Sequence, residues 1–239
     1  MHRIILTSIG ALLTLGVSGV FAADMPVKAP PVPAVVPIYN WNGFYIGANV
    51  GIGIGSKDWN FVNVPAGARI EHDVTGPLAG GQVGFNFQTG AWVFGVEGMF
   101  DWANLKGDSA CPNAAFNCVS KVRSLASATG RIGYAWGPAL IYAKGGAAWA
   151  SDRYRTEIAA TRLEFDFASE TRTGWTAGGG IEYGFGPNWS LRFAYDYYDF
   201  GTRRVDFFGS TGVFSDTREI EQHFHTVTAG VNYRFNWMR

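Results

Sequence analysis

Nine charged residues stand at positions that alternate with apolar ones: Glu97, Asp101, Glu182 and Asp196 as acids, Arg123, Arg131, Lys144, Arg192 and Arg234 as bases. Gathered in one narrow lumen, such groups would pair with one another and plug it, or else line a small, gated or leaky water path. Three other features could carry chemistry. His223 and His225 lie two apart, so on a strand both face one side, but no carboxylate follows at ligand spacing and an aromatic rim suits them better than a metal. A His near Ser or Thr is a nucleophilic site only if an acid orients it, and no spacing supplies one. The glycines Gly51, Gly53 and Gly55 and Gly178, Gly179 and Gly180 precede no helix, which removes the phosphate-loop reading. The two cysteines, Cys111 and Cys118, form no tetrahedral zinc set; in an oxidising compartment they pair as one local disulfide. No cofactor or catalytic site is expected.

What must position the charged set is a series of strands. Trp41 to Gly55 sets the pattern: Phe44, Ile46, Ala48, Val50, Ile52 and Ile54 on one face, Tyr45, Gly47, Asn49, Gly51 and Gly53 on the other. An unbroken apolar row backed by small or polar residues suits a strand with hydrocarbon outside and a polar lumen inside. Seven similar stretches follow, over 78–87, 91–102, 121–134, 139–150, 171–185, 189–200 and 222–235. The nine charges all take the lumen phase. After the leader no segment offers 18 consecutive apolar residues, so a closed barrel is the remaining way to cross a bilayer. The expected fold is all-β: an eight-stranded antiparallel up-and-down transmembrane barrel. Three tight turns near residues 88–90, 136–138 and 186–188 face four long outer loops, 56–75, 106–120, 151–170 and 201–221. Trp92, Tyr134, Trp189 and Tyr233 beside the turns, and Trp102, Trp149 and Trp175 toward the loops, make two aromatic girdles.

Addressing and composition agree. Arg3, an apolar run to Val20 and the small residue Ala22 read as an export signal over 1–22. A proline-rich tether, 23–40, and a barrel domain, 41–239, follow. Nineteen basic residues balance nineteen acidic ones, and loss of Arg3 leaves the mature chain one charge negative. Nothing there attracts nucleic acid.

Three segments, YNWNGFYIGANVG (39–51), GPNWSLRFAYDYYDFG (186–201) and HTVTAGVNYRF (225–235), resemble the small outer-membrane immunogenic proteins of alphaproteobacteria, porin-family or opacity-like barrels. The resemblance implies location in the cell outer membrane of a Gram-negative bacterium and contact with outer-membrane lipid and lipopolysaccharide. It also implies handling by periplasmic chaperones and by barrel-assembly machinery that reads a terminal aromatic, here Tyr233 and Phe235. The chain continues to Arg239, so Trp237 is the other candidate for that signal. Eight strands leave a lumen that side chains can fill. The expected function is therefore structural, with an ion-paired lumen and loops exposed to the environment or a host. A narrow channel for small solutes or ions, and ligand or host binding through the loops, are the alternatives.

Overall fold

A computed structural model describes residues 39–61, 69–209 and 211–235. The export signal, nearly all of the tether and Trp237 lie outside the described residues. Eight strands, β1 (Gly43–Phe61), β2 (Arg69–Thr89), β3 (Trp92–Ala110), β4 (Phe116–Trp136), β5 (Ala139–Ile158), β6 (Glu164–Gly184), β7 (Trp189–Gly209) and β8 (Phe214–Phe235), pair antiparallel in chain order. β1 then pairs with β8, from Phe44 opposite Phe235 to Phe61 opposite Arg218, and the sheet closes. Closure leaves no unpaired edge.

In the half that carries both ends of the barrel, alternation runs as a bilayer demands. Val50 and Val96 are each 62% exposed on the outside, whereas Asn49, Glu97 and Arg131 are buried inside. Glycine makes room where lumen side chains are large: a Cβ on Gly84 would strike the Tyr45 ring.

The strands are 19 to 22 residues long, about twice the 9–11 needed to cross a bilayer. This corrects the expected loops. Segments 56–61, 69–75, 106–110, 116–120, 151–158, 164–170, 201–209 and 214–221 are strand, and between β3 and β4 and between β5 and β6 the connections shrink to 111–115 and 159–163. The physical reason is a change of solvent along each strand. Beyond the apolar belt alternation persists with its polarity largely reversed: Trp59, Val205, Phe207 and Ile220 are buried inside, while Arg204, Asp206 and Glu221 face water. Polar composition hid a strand pattern of the soluble-barrel kind. β1 and β8 keep one inward phase throughout, whereas in β4 and β7 bulges at Val122/Ser124 and Asp199/Thr202 shift which residues face inward. At the latter Gly201 takes φ 58°, a left-handed conformation that glycine adopts without strain.

Candidate functional site

The lumen is filled in tiers. Next to the terminal end Trp41, Val93, Ala135, Leu140 and Tyr142 form an apolar cluster. Above it lies the charged network. Glu97, contributed by β3, is the hub: it accepts hydrogen bonds from Tyr45 Oη (2.7 Å), Arg192 Nη1 (2.8 Å) and Lys144 Nζ (3.2 Å), with Arg131 Nη1 at 3.5 Å. Glu182 is the second hub. It accepts from Ser190 Oγ (2.6 Å), Asn232 Nδ2 (2.7 Å) and Arg131 Nη2 (3.0 Å), and pairs with Arg234 at 3.6 Å. Lys144 also meets Asp196 at 3.1 Å, and Asn49, Gln82 and Asn232 extend the chain of bonds. Arg131 lies 4.1 Å from the centre of the Tyr142 ring and Arg234 4.5 Å from that of Trp41, contacts that suit flat guanidinium groups.

Of the nine lumen residues expected from sequence, seven join this network. Asp101 is buried inside but forms no ion pair among the described residues. Arg123 departs from the expectation: it is exposed on the outer face, because the bulge at Val122/Ser124 turns the strand over at that residue. Without it the lumen of this half holds four acids and four bases, a neutral set. Charges this deeply buried are costly unless paired, and pairing fits a plug better than a site poised to act on a substrate.

Above the network an apolar layer crosses the barrel: Val74, Leu78, Met99, Ala103, Leu105, Val122, Leu125, Ala148, Ala150, Tyr198, Phe200 and Phe224 are buried together. Beyond it sit groups that sequence reasoning missed, because they lay in supposed loops. Lys57 Nζ meets Asp152 Oδ1 at 2.7 Å, and Asp152 also accepts from Gln222 Nε2 at 3.0 Å. Burial pushes the Lys57 amine down to about 8 against the pull of Asp152. His72 Nε2 lies 2.9 Å from Ser120 Oγ, with burial first and the nearby Lys57 charge second lowering its pKa to about 4. The pair has the elements of a nucleophile and base, but His72 Nδ1 has no partner among the described residues and so no orienting acid. A distal cluster of Trp59, Tyr154, Phe207, Ile220 and the Cys111–Cys118 disulfide (Cα–Cα 5.3 Å) caps the interior. Arg218 pairs there with Asp166 at 2.9 Å and stacks 3.9 Å from Phe207.

His223 and His225 face outward among aromatics, where Tyr195 Oη lies 2.7 Å from His225 Nδ1. Tyr233 and Phe235 close the last strand, with Tyr233 packed on Trp189 at 5.0 Å. Among the described residues no group of three His, Cys, Asp or Glu side chains could hold a metal ion.

Comparison with known proteins accords with this architecture. The chain belongs to the outer membrane protein β-barrel domain family, whose model matches residues 12–235. It is 29% identical over 249 residues to the 31 kDa outer-membrane immunogenic protein of Brucella melitensis, covering 98% of this chain and all of that one. It is 31% identical over 221 residues to the 25 kDa outer-membrane immunogenic protein of Brucella abortus, covering 90% of each. In fold it matches the outer membrane protein OprG of Pseudomonas aeruginosa, with a TM-score of 0.55 at 11% identity over 83% of this chain and 99% of that one.

Proposed function

We propose that this outer-membrane β-barrel protein is a sealed structural element of the envelope that carries neither solutes nor a catalytic centre. The apolar layer above the charged network supports this reading most strongly. A narrow constriction lined by apolar groups holds water poorly, and eleven apolar side chains with Tyr198 lie buried together across the lumen. Balanced ion pairs below the layer favour the same conclusion, since each cation there already holds a carboxylate. Against catalysis stand the buried His72–Ser120 pair and its missing acid.

The distal half, rising out of the bilayer as a closed cylinder, offers its short connections to the surroundings and is the part of the molecule a host or ligand would meet. Export by the leader over 1–22 and recognition of the Tyr233–Phe235 end by assembly machinery complete the reading. Sealed vesicles loaded with the refolded protein test it. Swelling in isosmotic sugar should match that of protein-free vesicles. Swelling at the rate given by a general-diffusion porin would overturn the proposal in favour of a channel.

A further inference from the structure

On the outer face of the barrel, just beyond the apolar belt, Lys106 on β3 stands directly opposite Lys121 on β4, which stands directly opposite Arg153 on β5. Neighbouring strands are about 4.8 Å apart, so three cations occupy a row roughly 10 Å long. Like charges in direct opposition destabilise a sheet, and a protein with no use for the arrangement gains nothing from it. Arg155, two residues distal of Arg153, and Arg123, turned outward by its bulge, add to the same face. Local acids answer only part of this charge: Arg153 meets Glu164 at 3.4 Å and Arg155 meets Glu157 at 2.8 Å. Asp108 and Asp73 flank the row on its distal side at β3 and β2. Lys106, Lys121 and Arg123 have no carboxylate in ion-pair reach among the described residues.

The position identifies the occupant. Trp102, 69% exposed, and Trp149 mark the upper edge of the apolar belt on β3 and β5. The row lies four residues further along each strand, roughly 10 Å higher for a strand tilted about 40°. That is the level of the lipid headgroups. The other side of the barrel carries the opposite charge at similar height: Asp58 on β1 stands opposite Glu221 on β8 and Glu71 on β2, with Arg69 bound to Asp58. A lipid headgroup with negative charge is therefore drawn to one face and repelled from the other.

We propose that Lys106, Lys121 and Arg153 form a binding site for the phosphate groups of an outer-leaflet phosphorylated glycolipid, with Trp102 and Trp149 against its sugar and upper acyl segments. Arginine meets phosphate through two parallel N–H donors, while the lysines act as point charges. The site rests on the membrane reading of the barrel but not on its lumen being closed. It also removes the electrostatic conflict within the sheet, so lipid binding and barrel stability are coupled.

The test uses full-length protein refolded in neutral detergent and titrated with bisphosphorylated lipid A, with lipid A stripped of phosphate as the second probe. Wild type should bind the phosphorylated form at least tenfold more tightly, and the preference should shrink as salt rises. The triple substitution Lys106→Gln, Lys121→Gln, Arg153→Gln should lose that preference while its heat-modifiable band on gels remains. Glu71→Gln with Glu221→Gln on the opposite face should bind as wild type or more tightly. Equal binding of the two lipids, or unchanged binding by the triple variant, would overturn the proposal. Folded protein that inserts into bilayers yet binds neither lipid would overturn the site alone, whereas failure to insert would remove the membrane reading beneath it.

Discussion

Replacing Glu97 with Gln removes one charge from the hub of the lumen and leaves its shape. The carboxylate is 3% exposed and serves Tyr45, Arg192, Lys144 and Arg131 at 2.7 to 3.5 Å. Three buried cations would then share what Glu182 and Asp196 can offer. Removing one partner of a buried ion pair typically costs about 3–5 kcal/mol, because the other is left uncompensated. An amide keeps some of the hydrogen bonds, so a loss of about 3 kcal/mol is expected. Lys144→Met removes a cation that lies 3.2 Å from Glu97 and 3.1 Å from Asp196, and alone should cost about 3 kcal/mol. Together the two changes restore charge balance. The double variant should therefore be more stable than the sum of the single effects by at least about 1 kcal/mol. Urea unfolding in lipid vesicles, followed by tryptophan fluorescence, measures all four corners of the cycle. Additivity to within about 0.3 kcal/mol would refute the network, since independent sites behave that way.

Other consequences can be measured on the same preparation. Val231 lies at the middle of the outer apolar row of β8 and Asn232 is fully buried beside it; Val231→Arg should cost about 2–4 kcal/mol by exposing charge to hydrocarbon. Asn232→Arg should instead act by crowding Glu182 and Gln82, so its penalty should not depend on bilayer thickness, and equal thickness dependence at both positions would refute the inside–outside assignment. His72 titrates near 4 in the folded protein and near 6.5 unfolded, so the unfolded chain takes up its proton first as pH falls. Its contribution is whole above pH 6.5 and is lost between 6.5 and 4, with a slope of at most about 1.4 kcal/mol per pH unit; His72→Gln should flatten stability over that window, and an unchanged slope would assign the titration elsewhere. Replacing Cys111 and Cys118 by Ser opens a short loop at the tip of the β3–β4 hairpin and should cost roughly 2–3 kcal/mol in the chain-entropy account. Limited proteolysis should then cut near residues 111–118 while the membrane half stays intact, and cleavage within the apolar belt would contradict that division.

The half of the barrel within the bilayer was legible because hydrocarbon imposes one rule on every strand. Ile46, Val50 and Ile54 on one face, with Asn49 on the other, are enough to give strand, register and facing. The distal half was not legible as strand, although Lys57-Asp58-Trp59-Asn60-Phe61 and Arg204-Val205-Asp206-Phe207 alternate just as regularly. There water lies outside and the apolar residues point inward, so a search for outward apolar rows finds only polar segments. Arg123 shows the second limit: its spacing from Arg131 agrees with a lumen position, and one bulge reverses it. The Lys57–Asp152 and His72–Ser120 contacts join residues 95 and 48 positions apart, and nothing local announces either. Conversely, Glu97, Glu182, Arg131 and Arg192 could be assigned to one lumen from phase alone, though which acid held which base required the structure.

Closure of the lumen is the central claim, and single-molecule conductance tests it most directly. Refolded protein inserted into planar bilayers in 1 M potassium chloride should give no resolvable current steps. A variant with Leu105, Leu125 and Phe224 all replaced by Ala, which thins the apolar layer without touching the charged network, should begin to pass ions. Steady current steps of porin size from the unmodified protein, with no further gain in that variant, would contradict the account.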